Sequence, residues 1–418
     1  MKEYDLVIIG GGSAGMASAI EAYKNGVKDI LILEREDSLG GILLQCIHTG
    51  FGLQEFKEQI SGPEYAERFR DQVNELGIEY KLSTLVLNIT RDKEIYYANS
   101  KDGYSVIKAK AIILATGCSE RNRGQISIPG DIPSGDMTAC IDQRYLNIEG
   151  YLVGKKVFIL GSGDIGLIMA RRMTLEGAKV LGVAELMPYS NGLQRNIAQC
   201  LNDFNIPLYL SHTVTDIKGK GRLESITISQ VDDHFKPIPG TEKQFDVDTL
   251  LLSVGLIPSN ELLDNLGVAT NKATKGALIN ESLECDIPGI FCCGNVLHVH
   301  DLVDFVTKEG RKAGKNAALY LSNELKDSDK IIKCEARNGI GYTVPSIIRK
   351  VNVGDKLIFN FRCRKPYKKC KVVIKFNDEV VKTTIKPYML PAEMEEIVIS
   401  KDCLKSDEGI LSFEVVED

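Results

Sequence analysis

The chain opens on a short apolar run and breaks it at glycine. Residues 4–9, YDLVII, are β-branched and almost unbroken in apolar character, the pattern of a parallel strand buried on both faces. In SAGMASAIEAYKNG, residues 13–26, small and apolar side chains then recur at helical intervals. DILILERE, residues 29–36, predicts a second buried strand. The same succession returns in KKVFILGSGDIGLIMARRMTLEGAKVLGVAEL, residues 155–186. Further strands are predicted in KAKAIILATG, VDTLLLSVGLIP and IPGIFCCGN, the last followed by the helix-like DLVDFVTKEGRKAGKNAALYL. After a charged, polar linker at ALYLSNELKDSDK the period changes to two. KLIFNFRCR, CKVVIKFN, EVVKTTIKP, EEIVIS and ILSFEVVE alternate like half-buried strands between Gly, Pro, Asn and Asp turns, which predicts a small β domain over 335–418.

The turns carry candidate chemistry. Gly10, Gly12 and Gly15 stand in G-x-G-x-x-G spacing between strand and helix. The first glycine allows the turn, the second lets backbone approach a pyrophosphate, and the third lets the helix pack closely with its N-terminus facing the anion. Glu34, about 20 residues on, ends the next strand where a carboxylate can accept from a ribose hydroxyl. Gly161, Gly163, Gly166 and Glu185 repeat the constellation, so two dinucleotides are implied. An acid at 185 suits a free 2′-hydroxyl and repels a 2′-phosphate, which favours NAD(H) over NADP(H). The expected class is α/β, with two Rossmann-like, three-layer dinucleotide-binding domains and the small C-terminal β domain.

Composition narrows the field. At 418 residues the chain needs two or three domains, and 44% hydrophobic with 26% charged residues is the balance of a soluble globular protein. A net charge of -6 gives no overall attraction to nucleic acid or anionic membrane. No leader pattern or span-length apolar run is seen, so a cytoplasmic protein without a membrane span is expected. The 11 cysteines show neither CxxC nor metal-type spacing and read as mostly reduced thiols, with no metal site.

With Ala115-Thr116-Gly117, Gly255 and Gly294-Asn295 added, the fingerprints resemble the pyridine nucleotide-disulfide oxidoreductase superfamily of flavoproteins over roughly residues 1–330. The resemblance implies a flavin domain split in sequence, 1–122 and 258–330, with an NAD(H) domain, 123–257, inserted in it. FAD would occupy the first fingerprint and NAD(H) the second. Where the family usually has an aspartate after the late glycine, this chain has Asn295. Disulfide reductases of the superfamily carry CxxxxC just after the pair matched by Gly40 and Gly41, and the thioredoxin reductase branch carries CxxC in the NAD domain. Neither pair exists here: Leu43 and His48 occupy the places of the first two thiols, and Cys46 matches neither. Ile168 replaces the family's glutamate near the nicotinamide, and no histidine–glutamate dyad is expected near the C-terminus.

More narrowly, GGILLQCIHTGFG and CGNVLHVHDLVDFVTKEG resemble a subgroup that accompanies glycerol-3-phosphate dehydrogenase-type flavoproteins. It is related to the NADH-dehydrogenase subunits of heteromeric opine, proline and cyanogenic glycine dehydrogenases. That resemblance implies a diaphorase-type electron-transfer subunit. Its partners would be a substrate-oxidising flavoprotein, a small cysteine-rich iron–sulfur protein, or both, with a homo-oligomer left open. Two alternatives stand beside it: a single-cysteine NADH oxidase, peroxidase or coenzyme A disulfide reductase working through Cys46, and a non-catalytic FAD/NAD-binding scaffold or sensor.

The candidate cofactor-binding residues are Gly10, Gly12, Ser13, Ala14, Gly15, Glu34, Arg35, Gly41, Ile42, Val86, Ala115, Thr116, Gly117, Gly161, Gly163, Asp164, Ile165, Gly166, Glu185, Gly255, Gly294 and Asn295. The candidate catalytic residues are Cys46, His48, His298 and His300, set against packing roles for each. Cys292 and Cys293 read as core filling, and Asp301 and Asp304 as acids at a helix N-terminus. The basic run from Arg362 through Arg364, Lys365, Lys368 and Lys369 to Lys371 reads as a solvated hairpin, or as a dock for an acidic partner.

Overall fold

Strand Glu3–Ile9 lies between parallel neighbours Ile30–Leu33 and the second half of Gly103–Leu114. Its last four residues are buried, which is why the run could dispense with alternating polar positions. Glu79–Lys81 extends the parallel sheet beyond Ile30–Leu33, and Ile290–Cys292 extends it beyond Gly103–Leu114. The first half of Gly103–Leu114 pairs antiparallel with Glu94–Asn99, so the sheet is mixed. Helices Ser13–Lys24 and Val303–Leu321 cross at small residues: a Cβ on Gly310 would lie 2.4 Å from Ala14 O, and one on Gly314 would lie 2.1 Å from Ser18 O. Only glycine lets those backbones touch.

The structure, a computed structural model, describes residues 1–417 and divides into two compact units, Met1–Cys118 with Pro258–Asp418, and Ser119–Ile257. The second unit has a five-stranded parallel sheet in the order Asp136–Thr138, Thr249–Leu252, Lys156–Leu160, Lys179–Glu185, Leu208–Leu210. A three-stranded antiparallel sheet, His212–Lys220, Arg222–Gln230 and Lys243–Asp246, accompanies it. The fold class read from the sequence is the one observed.

The C-terminal strands form a five-stranded and a three-stranded sheet, from Ile332–Ala336 to Gly409–Glu417, around a separate core that includes Phe359, Phe361, Ile374 and Phe413. This β region groups with the first unit and is tied to it by buried charge. Arg349 donates to Glu281 Oε1 from Nη2 at 3.0 Å and pairs through Nη1 with Glu284 at 2.9 Å. Among the described residues no helix is long and apolar enough to cross a membrane.

Candidate cofactor sites and a buried histidine cluster

The first fingerprint is built as its spacing requires. Gly10 has φ +104°, and a Cβ there would lie 2.3 Å from Ala115 O. A Cβ on Gly15 would lie 1.8 Å from Gly10 O, whereas one on Gly12 would meet nothing within 4 Å. The helix that follows has neither a side-chain cap nor an acid in its first turn, so the backbone donors at Ser13 and Ala14 suit an anion. Glu34 Oε2 accepts from Gly11 N at 2.6 Å and Oε1 from Glu36 N at 2.9 Å. Each oxygen keeps a second lone pair for a ribose hydroxyl. Gly40 N donates to Gly11 O, and a Cβ on Gly41 would lie 3.2 Å from Gly12 Cα, which brings Gly41 and the exposed Ile42 to the fingerprint. Thr116 Oγ1 donates to Ser259 O at 3.0 Å, and Gly117 (φ +73°) leaves open space. Arg35 is exposed beside Glu36, and Val86 sits on strand Leu85–Ile89; neither touches the fingerprint in any described contact. An open glycine, an uncapped helix N-terminus and a terminal acid fit the pyrophosphate and ribose of FAD.

The second fingerprint repeats the first. A Cβ on Gly161 (φ +103°) would lie 2.0 Å from Ser253 O, one on Gly166 would lie 2.6 Å from Gly161 O, and one on Gly163 would meet only Ser253 Oγ at 3.8 Å. Glu185 Oε2 accepts from Ser162 N and Oγ, and Oε1 from Met187 N. Asp164 serves the following loop: its Oδ1 accepts from Leu193 N at 2.9 Å and Asn196 Nδ2 at 2.7 Å. Ile165 is half-buried against the core of this unit, and Gly255 takes φ +103°. These residues fit a second dinucleotide.

Cys46 ends the short 3₁₀ turn Gly41–Gln45. Its Sγ donates to Ile42 O at 3.3 Å, its carbonyl accepts from Gly62 N, and burial pushes the thiol up to about 12. The nucleophile is the thiolate, so this environment favours an inert thiol. Cys292 and Cys293 are fully buried within the apolar core. His48 packs its ring on Phe51, 5.1 Å between centroids.

His298 and His300 form a cluster that spacing did not disclose. Glu309, on helix Val303–Leu321, accepts from His298 Nε2 at 2.8 Å, His300 Nε2 at 3.1 Å and Gly294 N at 2.6 Å. Burial alone would raise the Glu309 carboxyl; the facing histidines outweigh it and hold it below the usual carboxylate range, while burial lowers His298. A histidine–glutamate pairing is thus present within the first unit, away from the C-terminus that the expectation concerned. Its one sequence signal was an acid on the buried face of a helix, three residues after Val306 and four before Ala313. Asn295 does not wait for a cofactor with its whole amide, because Oδ1 accepts from His300 N at 3.0 Å.

Two expectations are corrected nearby. Asp301 and Asp304 are more than helix-terminal acids: Asp304 Oδ1 accepts from Glu55 N at 2.8 Å, and Asp301 pairs with Arg362 and accepts from Met394 N at 2.6 Å. The basic run is not one exposed cluster. Arg362 is turned inward, donating also to Val299 O at 3.0 Å, while Arg364, Lys365, Lys368 and Lys369 are exposed, Arg364 donating to Ile340 O and Lys365 pairing with Glu417. Also unforeseen is Asp142, wholly buried on helix Ala139–Asn147, whose carboxylate oxygens have no hydrogen-bond partner among the described residues and whose pKa burial raises to about 7.

Residues 4–317 match the family model described as pyridine nucleotide-disulphide oxidoreductase. A thioredoxin reductase of Listeria monocytogenes is 25% identical over 333 residues, 78% of this chain and 96% of that protein. "Hydrogen cyanide synthase subunit HcnB" of Pseudomonas protegens is 25% identical over 297 residues, 65% of this chain and 61% of its own length. Among solved structures, T. acidophilum thioredoxin reductase superposes with TM-score 0.62 at 23% identity, covering 77% of this chain and 99% of that one.

Proposed function

The chain belongs to the pyridine nucleotide-disulphide oxidoreductase family of FAD-dependent oxidoreductases, and within it we propose a diaphorase-type subunit that exchanges electrons between NAD(H) and a partner protein without a redox disulfide. The observation that carries this reading is the pair of equivalent fingerprints, each with an open central glycine and a terminal acid, together with a Cys46 that has no second cysteine at CxxC or CxxxxC spacing and whose thiol is held protonated. Bound FAD would supply two-electron exchange with the nicotinamide and one-electron exchange with a partner's centre.

The chain's own residues bind and orient. Gly12 and the first turn of Ser13–Lys24 would receive the FAD pyrophosphate and Glu34 its ribose; Gly163 and Glu185 would do the same for NAD(H). The carboxylate of Glu185 would turn away a 2′-phosphate. The Cys46 environment weighs against the single-cysteine alternative, because sulfenate or mixed-disulfide chemistry starts from a thiolate. Likeness to a protein named as a hydrogen cyanide synthase subunit supports a heteromeric setting, with a substrate-oxidising flavoprotein or an iron–sulfur protein as partner. Eleven cysteines without CxxC spacing accord with the reducing cytoplasm.

The test is copurification from the native source followed by partner-dependent NAD⁺ reduction. In the full-length chain, Lys368→Glu with Lys369→Glu should weaken association more at low salt than at high salt, since exposed charges are screened beyond about 8 Å at physiological ionic strength. An isolated chain that turns over a small molecule at ordinary enzymatic rates, with no partner found, overturns the subunit reading.

A further inference from the structure

We propose that Glu309 is a positioning residue that makes His298 and His300 a buried proton-accepting site beside the first dinucleotide site, loaded from solvent when the flavin is reduced. The proposal rests on the reading above that NADH reduces FAD bound at Gly10–Gly15.

An ionised carboxylate only accepts hydrogen bonds, so both Nε2 atoms facing Glu309 carry the hydrogen. Each imidazole is thereby set in one tautomer, with a lone pair on Nδ1. Both Nδ1 atoms are buried, and neither finds a hydrogen-bond partner among the described residues. A buried acceptor without a donor is costly, and an imidazole lone pair is where a proton binds. The ring centroids are 4.3 Å apart, so a proton on one ring opposes a second on its neighbour. The cluster therefore holds one proton or none.

Its place makes that proton relevant to the cofactor. Gly294, whose N–H is held by Glu309, approaches Ala14 so closely that a Cβ would lie 3.0 Å from Ala14 Cβ, in the first turn of the fingerprint helix. Negative charge added to a cofactor seated on that turn acts on the cluster through the protein interior and favours its protonated form. The surrounding charged and titratable groups are Glu309 and Lys312 on the helix, Cys293 just after strand Ile290–Cys292, Asp301 in the same segment, and Arg362 and Tyr342 from the β region. Arg362 opposes the proton, Glu309 favours it, and the Tyr342 ring stands edge-on to His298 with centroids 6.3 Å apart.

The balance is simple. NADH gives up two electrons and one proton and leaves as NAD⁺; the proton on the cluster comes from solvent and returns there when the electrons pass to the partner. The imidazoles are neither oxidised nor reduced. Donor atoms of the same three residues lie within 4.8 Å of one another. A metal held on both Nε2 atoms would instead leave two Nδ1–H donors buried and unpaired, against the usual outer-shell pattern.

The experiment uses the full-length FAD-loaded protein. Nitrogen-15 NMR of labelled histidine should show both rings as the Nε2–H tautomer at neutral pH. Flavin midpoint potential plotted from pH about 5 to 9 should bend once as the cluster titrates. Glu309→Gln should lose the tautomer preference and straighten the plot while FAD stays bound. An Nδ1–H tautomer in wild type, a straight wild-type plot, a bend that persists in Glu309→Gln, or one zinc per chain by elemental analysis overturns the proposal. If Glu309→Gln does not fold, the double variant His298→Gln with His300→Gln takes its place, with a straight plot expected and a persisting bend overturning the proposal. Absence of bound FAD or of reduction by NADH defeats the underlying reading instead, and the tautomer measurement on the chain separates the two.

Discussion

Ser162 donates to Glu185 twice, from its backbone N at 3.0 Å and from Oγ at 2.6 Å. The second glycine turn thus holds the acid that closes its neighbouring strand, so the carboxylate is a fixed feature of the site. NADH should bleach the flavin about tenfold faster than NADPH or more at equal concentration, tenfold corresponding to ~1.4 kcal/mol. Anaerobic stopped-flow absorbance checks this, and equal rates would refute the NAD(H) assignment.

Gly12 and Gly15 are both fingerprint glycines, yet their substitution should have different consequences. A Cβ on Gly12 meets nothing in the protein within 4 Å, so Gly12→Ala should fold with an unchanged melting temperature and bind FAD weakly. A Cβ on Gly15 lies 1.8 Å from a backbone oxygen, and Gly15→Ala should cost about 1–3 kcal/mol through the forced helix shift. Differential scanning fluorimetry with and without added FAD separates the two.

Cys46 should behave as a packed thiol. With its pKa pushed up to about 12, only about one molecule in 10,000 is thiolate at pH 8. Alkylation in the folded protein should be slow and should rise about tenfold per pH unit through the alkaline range. Cys46→Ser should keep most NADH-to-dye activity; near-complete loss with FAD still bound would revive the single-cysteine mechanism.

Asp142 should make stability depend on pH. Its folded pKa, about 7, lies above the ordinary 3.8, so the folded state holds a proton that the unfolded chain has released between those values. Stability therefore falls as pH rises from about 4 to about 7 and is flat above. Asp142→Asn should raise stability by roughly 4 kcal/mol at pH 8 and change it little near pH 4, measured as urea midpoints of the full chain.

Arg349 should be hard to replace. Arg349→Met leaves Glu281 and Glu284 buried together without their cation, a loss of about 3–5 kcal/mol. The same contacts mean that truncation near residue 335 should damage FAD retention as well as any partner binding, checked by the flavin absorbance of the truncated chain. The β region is part of the flavin-type unit, so point changes at Lys368 and Lys369 test partner docking more cleanly.

The glycine turns, their acids and the buried strands were legible because each is a local pattern: a residue's backbone conformation and its burial show within about twenty positions of chain. The absence of CxxC and CxxxxC spacing is read in the same way, from the distances between cysteines along the chain. Tertiary structure alone decided what the charged and titratable residues face. Glu309 meets His298 and His300 only because Gly310 and Gly314 let one helix settle on Ser13–Lys24. Arg362 looked like surface charge until the β region brought it to Asp301, 61 residues away in sequence. Hydrophobic period shows which face of an element is buried, but a buried ion pair or hydrogen bond depends on which two elements meet and in what register. That choice is made by packing and leaves little trace in the local pattern.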